Sequence, residues 1–282
     1  MSVRILGDST SDITPEMKEK YGVVTIPMYV NFEDRTYRDG EDLMCADMFA
    51  ESKRTGIHPK SACPTPADVA DFLRREHPNA DELLYIAMSG NISPIVNFSM
   101  LASQETGIPL HIVDSTVLSS GVTYLMIRAS EMIADGKSAE EIVPVLDDIK
   151  QRLNVSFVID TMTYLHRGGR CSSVTALMAS TLKIKPQIIL QDGKMVPAAK
   201  FRGSMLRAVD QYIDLLTPNL KNAVPDRIFI THTISDEEML GILREKLEAF
   251  HRFEEIHVVH AGCVVGTHCG PGTMGFIFEE GK

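Results

Sequence analysis

The stretch Val3-Arg4-Ile5-Leu6-Gly7-Asp8-Ser9-Thr10-Ser11-Asp12-Ile13-Thr14-Pro15 decides the architecture. Val3 to Gly7 is a short apolar run that reads as a strand, and Gly7 to Asp12 is a polar turn at its carboxyl end. Thr14 before Pro15 then marks a helix start, because a hydroxyl can cap orphan amides and proline suits the first helical position. The pattern returns along the chain. Val23 to Val30, Leu83 to Met88 and Leu110 to Val113 are further strand-like runs. Thr65 before Pro66, and Ser138 followed three residues later by Glu141, are further helix starts. Strands alternating with helices through about residue 150 predict a parallel sheet covered on both faces, with ligands beyond the carboxyl ends of its strands.

The second half restarts at Val155 to Ile159 and offers Ile184 to Leu190, Met195 to Lys200, Arg227 to His232, Ile256 to His260 and Gly275 to Phe278 as strands. One helix places Leu206, Val209, Ile213 and Leu216 on one face; another opens with a capping box, Ser235 to Glu238, and presents Leu240, Leu243, Leu247 and Phe250. Gln191-Asp192-Gly193-Lys194 is a hairpin turn. The expected fold is therefore α/β in two domains: residues 1–153 as a parallel three-layer α/β/α unit, and residues 154–282 as a mixed α/β unit.

Composition excludes several classes. The 282 residues include 28 Lys plus Arg against 38 Asp plus Glu, and a net charge of -10 repels nucleic-acid backbones and anionic lipid surfaces. No apolar run reaches the roughly 18 to 20 residues of a membrane span, and the first residues lack the apolar core of a secretory signal. Cys45, Cys63, Cys171, Cys263 and Cys269 are scattered and odd in number, which fits free thiols in a cytoplasmic protein. No heptad or self-complementary stripe stands out, so a monomer is the expectation.

Chemistry-bearing residues sit in separate segments. Asp8 and Ser9 stand at the mouth of the first strand, where the bland reading is a well-made turn. The Gly7 to Asp12 segment has neither a Gly-x-Gly-x-x-Gly nor a P-loop pattern. Lys60-Ser61-Ala62-Cys63-Pro64-Thr65 and Ser89-Gly90-Asn91-Ile92-Ser93-Pro94 offer hydroxyls at helix starts. Tyr164-Leu165-His166-Arg167-Gly168-Gly169-Arg170 reads as a loop presenting a guanidinium, and Gly266-Thr267-His268-Cys269-Gly270-Pro271-Gly272 as a glycine-rich loop presenting an imidazole. Singly, each has a structural alternative: helix caps, turns, a surface ion pair, a histidine bonded inside its own loop.

Taken in order, these segments resemble the DegV family of bacterial fatty-acid-binding proteins, over nearly the whole chain. Asp8-Ser9-Thr10-Ser11-Asp12 is similar to the family's Asp-Ser-Thr-Ser/Ala-Asp, and Tyr164-Leu165 with Gly168-Gly169-Arg170 to its Tyr-Leu-x-x-Gly-Gly-Arg. Thr267-His268-Cys269-Gly270-Pro271-Gly272 resembles its Thr/Gly-x-His-x-Gly-Pro-Gly, and Lys200-Phe201-Arg202-Gly203 its basic segment after the hairpin. The resemblance implies one long-chain fatty acid whose carboxylate meets Ser61, Ser93, Arg170 and His268 at the domain junction, with Asp8, Ser9, Ala62, Gly169 and Thr267 as further pocket residues. Ser61 stands where the family has a threonine, and Pro94-Ile95 replace its Gly-Thr after Ser93. It further implies a substrate carrier rather than an enzyme, presenting the carboxylate to a separate ATP-dependent kinase that makes an acyl phosphate. Lys200, Arg202 and Arg207 would dock that partner. No cofactor or metal is implied.

These residue types suit the task. A carboxylate removed from water needs charge-assisted and neutral donors together, which arginine, serine and histidine supply. At about 0.8 kcal/mol per methylene, a chain of about fifteen represents roughly 12 kcal/mol before association costs, so the tail gives most of the affinity. The 15 methionines fit a wall that adapts to a flexible chain. Three alternatives stand beside this reading. One is a stand-alone enzyme on an acyl or phosphorylated metabolite, with Ser93 or Ser61 as nucleophile and His268 as base, although a Gly-x-Ser-x-Gly elbow is lacking. Another is a metal site of Cys263, His268 and Cys269, whose spacing is poor for zinc. The third is a lipid-sensing regulator.

Overall fold

The structure is a computed structural model and describes residues 2–32, 34–171, 184–234 and 236–282. The first half begins with β1 (Val3–Asp8), a single 3-10 turn at Ser9–Ser11, α1 (Pro15–Tyr21), β2 (Val23–Ile26), β3 (Tyr29–Phe32) and β4 (Arg35–Arg38). It continues through α2 (Cys45–Thr55), β5 (Lys60–Ala62), α3 (Pro66–Glu76), β6 (Glu82–Ala87), α4 (Ile95–Thr106), β7 (His111–Asp114), α5 (Ser120–Ala134) and α6 (Ala139–Ile149). The helix starts read from the sequence are made as expected: the Thr14 side chain accepts from the Met17 amide, and Thr65 with Asp68 and Ser138 with Glu141 form complete capping boxes.

Strands β2-β1-β6-β7 form an all-parallel sheet. Its order reverses between β1 and β6, the kind of switch point outside which open α/β sheets bind ligands. The run from Val23 to Val30 is not one strand. Pro27 has no N–H to continue the ladder, and the chain leaves the parallel sheet there; β3 pairs instead with β4 and β5 in a small antiparallel sheet.

The second half comprises β8 (Leu153–Val158), α7 (Thr163–Gly168), β9 (Ile184–Gln191), β10 (Lys194–Arg202), α8 (Met205–Lys221), β11 (Ala223–His232), α9 (Glu237–Glu248), β12 (Glu255–His260), α10 (Cys263–Cys269) and β13 (Met274–Glu280). Its six strands lie in the order β10-β9-β8-β13-β11-β12, antiparallel except for the β11–β12 pair. Asp192 and Gly193, at φ 51° and 74°, make the two-residue hairpin turn. Helix α8 buries Val209, Ile213 and Leu216, but Leu206 is 40% exposed among the exposed residues at the helix start. Helix α9 buries Leu240, Leu243 and Leu247, with Phe250 beyond its end packed on the same core. Its cap is Asp236, which accepts from the Met239 amide; Ser235 of the expected capping box lies outside the described residues.

Helix α5 joins the halves. Nine of its residues from Ser120 to Ala129 are buried, and it packs against both β1 and β13. A helix apolar on most sides belongs in an interior. One core accordingly runs from the parallel sheet to Val155, Phe229, Val264 and Ile277 of the second half. Among the described residues no helix is long and apolar enough to cross a membrane.

Candidate functional site

A cavity enclosing about 960 Å³ of empty space, part of it open to solvent, lies at the carboxyl ends of β1 and β6. Thr10, Met88 and Ile92 face it from the parallel-sheet side. Val155, Phe157, Met195, Gly275 and Ile277 face it from the six-stranded sheet. The wall is mainly apolar, and methionines 28, 88 and 195 contribute to it. Ser61, Ser93, Arg170 and His268, picked from four distant segments of the sequence, all line this one cavity.

Each is placed by a different device. Ser61 sits on β5, opposite Val30 of β3. Ser93 follows β6 by a tight turn in which its amide donates to the Ser89 carbonyl at 3.1 Å. Pro94, at the cap of α4, has no side-chain hydrogen bond to give, and the Ser93 Oγ accepts from the Ile95 amide at 3.3 Å instead. The Ser93 hydroxyl donates only to the Cys63 sulfur, 3.8 Å away, a weak acceptor. Burial pushes that Cys63 thiol up to about 11, so it remains protonated at neutral pH.

The Tyr164 to Arg170 segment is helical rather than a loop. Helix α7 ends at Gly168, and Gly169 takes the left-handed cap at φ 69°. Gly168 serves another purpose: a Cβ there would stand 2.2 Å from Nδ1 of His268, so glycine lets α7 pack directly on the imidazole. Arg170 is exposed and, among the described residues, uses one N–H on the Gly168 carbonyl at 2.8 Å. His268 lies on α10, another segment expected as a loop, and its Nε2 is 2.8 Å from Ser61 Oγ. Its Nδ1 is buried with no partner among the described residues. Burial first, and the positive charge of Arg170 second, hold the imidazole down at about 4, so the ring is neutral at physiological pH.

The other hydroxyls on the wall differ. Ser119 donates to Asp12, Thr10 to Asp8, Ser156 bonds Tyr212, and Thr231 bonds Ser120. Thr233 and Thr273 donate to the carbonyls of Gly270 and Cys269 at 2.7 and 2.9 Å. Their oxygens are occupied by protein partners, so this part of the wall offers a ligand mostly carbon.

Of the further pocket residues expected from the sequence, Ala62 lines the cavity, whereas Asp8, Ser9, Gly169 and Thr267 do not. The turn after β1 explains the first two: Asp8 folds back to accept from the Thr10 amide at 3.0 Å, Ser9 turns to Asp39 at 2.8 Å, and Thr10 is left facing the cavity. Gly169 is a helix cap, and Thr267 lies on the side of α10 that faces Met48, its hydroxyl bonded to the Cys263 carbonyl. Lys200, Arg202 and Arg207 are exposed on β10 and the start of α8. Sequence reasoning missed the contributions of Met28 and Cys63 to the wall; the signal for Met28 was Pro27, which ends the strand just before it. Among the described residues no group of three His, Cys, Asp or Glu is arranged to hold a metal ion.

The family profile described as uncharacterised proteins of the DegV family matches residues 2–281. The chain belongs to the DegV family. A DegV domain-containing protein of Deinococcus radiodurans is 32% identical over 284 residues, covering 99% of each chain. A relative from Thermotoga maritima, named as a fatty acid-binding protein, is 30% identical over 287 residues, covering 99% of this chain and 98% of its own. Among solved structures, a DegV family protein from Thermus thermophilus, described for its fatty acid binding, superposes with a TM-score of 0.91 at 30% identity, over 99% of this chain and all of its own. The Thermotoga and Thermus relatives are named for fatty acid binding.

Proposed function

We propose that this DegV protein holds one long-chain fatty acid in the cavity, with its carboxylate at Ser61, Ser93, Arg170 and His268, and presents that carboxylate to a separate ATP-dependent kinase. The observation that carries the reading is the convergence of these four polar side chains on one mainly apolar cavity. Arg170 supplies charge-assisted bonds, the hydroxyl of Ser93 donates only to a thiol among the described residues, and the neutral His268 ring adds a bond without a competing charge. Because Arg170 is exposed, the carboxylate end is the end another protein can reach. Phosphoryl transfer needs nucleotide and metal held in place, and the sequence offers no P-loop for that, which assigns the chemistry to the partner. Lys200, Arg202 and Arg207 form the docking patch in this reading.

Native mass spectrometry on protein purified without added lipid tests it: a stoichiometric retained fatty acid supports the reading, and empty protein that also ignores added acids overturns it. Arg202→Glu should impair kinase-dependent phosphorylation without loss of bound lipid.

One contact favours a second reading. The Ser61–His268 pair has the reach of a nucleophile and its base. Yet among the described residues His268 Nδ1 lacks the third group that would orient and strengthen it, and an imidazole held at about 4 is a weak base at neutral pH. Turnover of an acyl ester by purified protein, abolished by Ser61→Ala, would establish that reading.

A further inference from the structure

The helix that carries His268 has no side-chain cap of its own. Its N-cap is Gly262, and the amides of Gly262 and Cys263 donate to Asp12 Oδ1 at 2.8 Å and Asp39 Oδ1 at 2.7 Å, carboxylates from the other half of the chain. Both acids are buried, and neither lines the cavity. A Cβ on Gly262 would stand 3.0 Å from Asp39 Oδ1 and 3.3 Å from Asp12 Oδ1, so only glycine lets both carboxylates close on the helix without displacement.

Each acid is tied to the cavity wall on its other side. Ser119, a wall residue, donates to Asp12 Oδ2. Asp39 closes a ring with Met28, another wall residue: the Asp39 amide donates to the Met28 carbonyl at 2.9 Å, the Met28 amide to Ser9 Oγ at 3.1 Å, and Ser9 Oγ to Asp39 Oδ2 at 2.8 Å. Burial pushes both carboxyls up, Asp12 to about 8, so Asp12 is mostly neutral at physiological pH and a neutral amide is a fair replacement for it.

A helix of two turns has little stability alone and takes its position from what holds its ends. We propose that Asp12 and Asp39 are positioning residues for the carboxylate site: by anchoring the start of α10 to the wall they place His268 against Ser61, and so set the preference of the cavity for an acid over an uncharged chain of equal length. The proposal rests on the cavity being the fatty-acid site. It also gives Asp8-Ser9-Thr10-Ser11-Asp12 a role that direct ligand contact by Asp8 and Ser9 does not.

The test measures dissociation constants for hexadecanoic acid and hexadecanol in parallel. In Asp39→Ala the acid-over-alcohol preference should fall about tenfold while alcohol affinity holds. Asp39→Asn, which keeps an oxygen for the Cys263 amide, should return it to within about threefold of wild type. If Asp39→Ala fails to fold, Gly262→Ala carries the same expectation, because it keeps both acids and shifts the helix by a few tenths of an ångström. An unchanged preference in Asp39→Ala or Gly262→Ala, or equal losses for acid and alcohol, overturns the positioning role alone. Wild-type protein that binds neither ligand overturns the cavity reading and this proposal with it.

Discussion

The Ser93 and Arg170 corner of the cavity and the rest of its wall carry the same residue types and behave differently. Near Arg170, the Ser93 hydroxyl donates only to a thiol among the described residues. Elsewhere on the wall, Ser119, Ser156, Thr231, Thr233 and Thr273 are just as hydroxylic, but each is already bonded to the protein. Polarity toward a ligand is therefore decided by which donors and acceptors remain unused, not by how many are present. A wall that looks mixed in composition works as a polar cap on an apolar chamber.

The contrast can be broken most directly at Arg170. A charge-assisted bond contributes about 1.5 to 3 kcal/mol, so Arg170→Ala should weaken fatty-acid binding roughly ten- to a hundredfold and leave binding of the matching alcohol nearly untouched. Calorimetry with both ligands decides it, and equal weakening would mean the two regions do not differ. In the rest of the wall, Thr233→Val removes the bond to the Gly270 carbonyl and strands the Thr273 amide, which donates to Thr233 Oγ1 at 3.0 Å. Denaturant melts should show a loss of about 2 kcal/mol in stability, with the acid-over-alcohol preference intact.

A smaller effect is expected for Ser61→Ala. One neutral hydrogen bond of about 1 kcal/mol corresponds to roughly fivefold in acid affinity, and competition binding against wild type would resolve it. The smallest effect is in pH. Burial holds Asp12 at about 8 in the folded protein against an ordinary 3.8, so the folded state holds the extra proton and loses that stabilisation as pH rises toward 8. His232 and His268, both at about 4 against 6.5, act in the opposite sense and only below about 6.5. Between pH 6.5 and 8 the ligand-free protein should therefore lose a few degrees of melting temperature, and Asp12→Asn should reduce that fall, as scanning calorimetry would report.

Much of this was legible in one dimension. Thr14, Thr65 and Ser138 announce their helices because a cap acts on amides two or three residues away. Asp192-Gly193 announces its hairpin because the turn type requires residues that accept positive φ. The candidate head-group residues were legible as motifs, but their company was not. Asp8 and Ser9 were expected at the cavity and stand behind it, since a single 3-10 turn decides which of three consecutive polar side chains faces inward. The small sheet of β3, β4 and β5, which carries Ser61, escaped notice because its strands are three or four residues long and pair over about thirty residues of chain.

From the chain of amino acids alone came what depends on near neighbours: the order of strands and helices, their caps and turns, and the supply of donors suited to a carboxylate. Folding in three dimensions decided which of those donors would be left without a protein partner, and that Asp12 and Asp39 would hold the helix of a histidine more than two hundred residues away. The physical reason is that capping and periodicity act over a few residues, whereas the satisfaction of a hydrogen-bonding group depends on whatever the packed interior brings beside it.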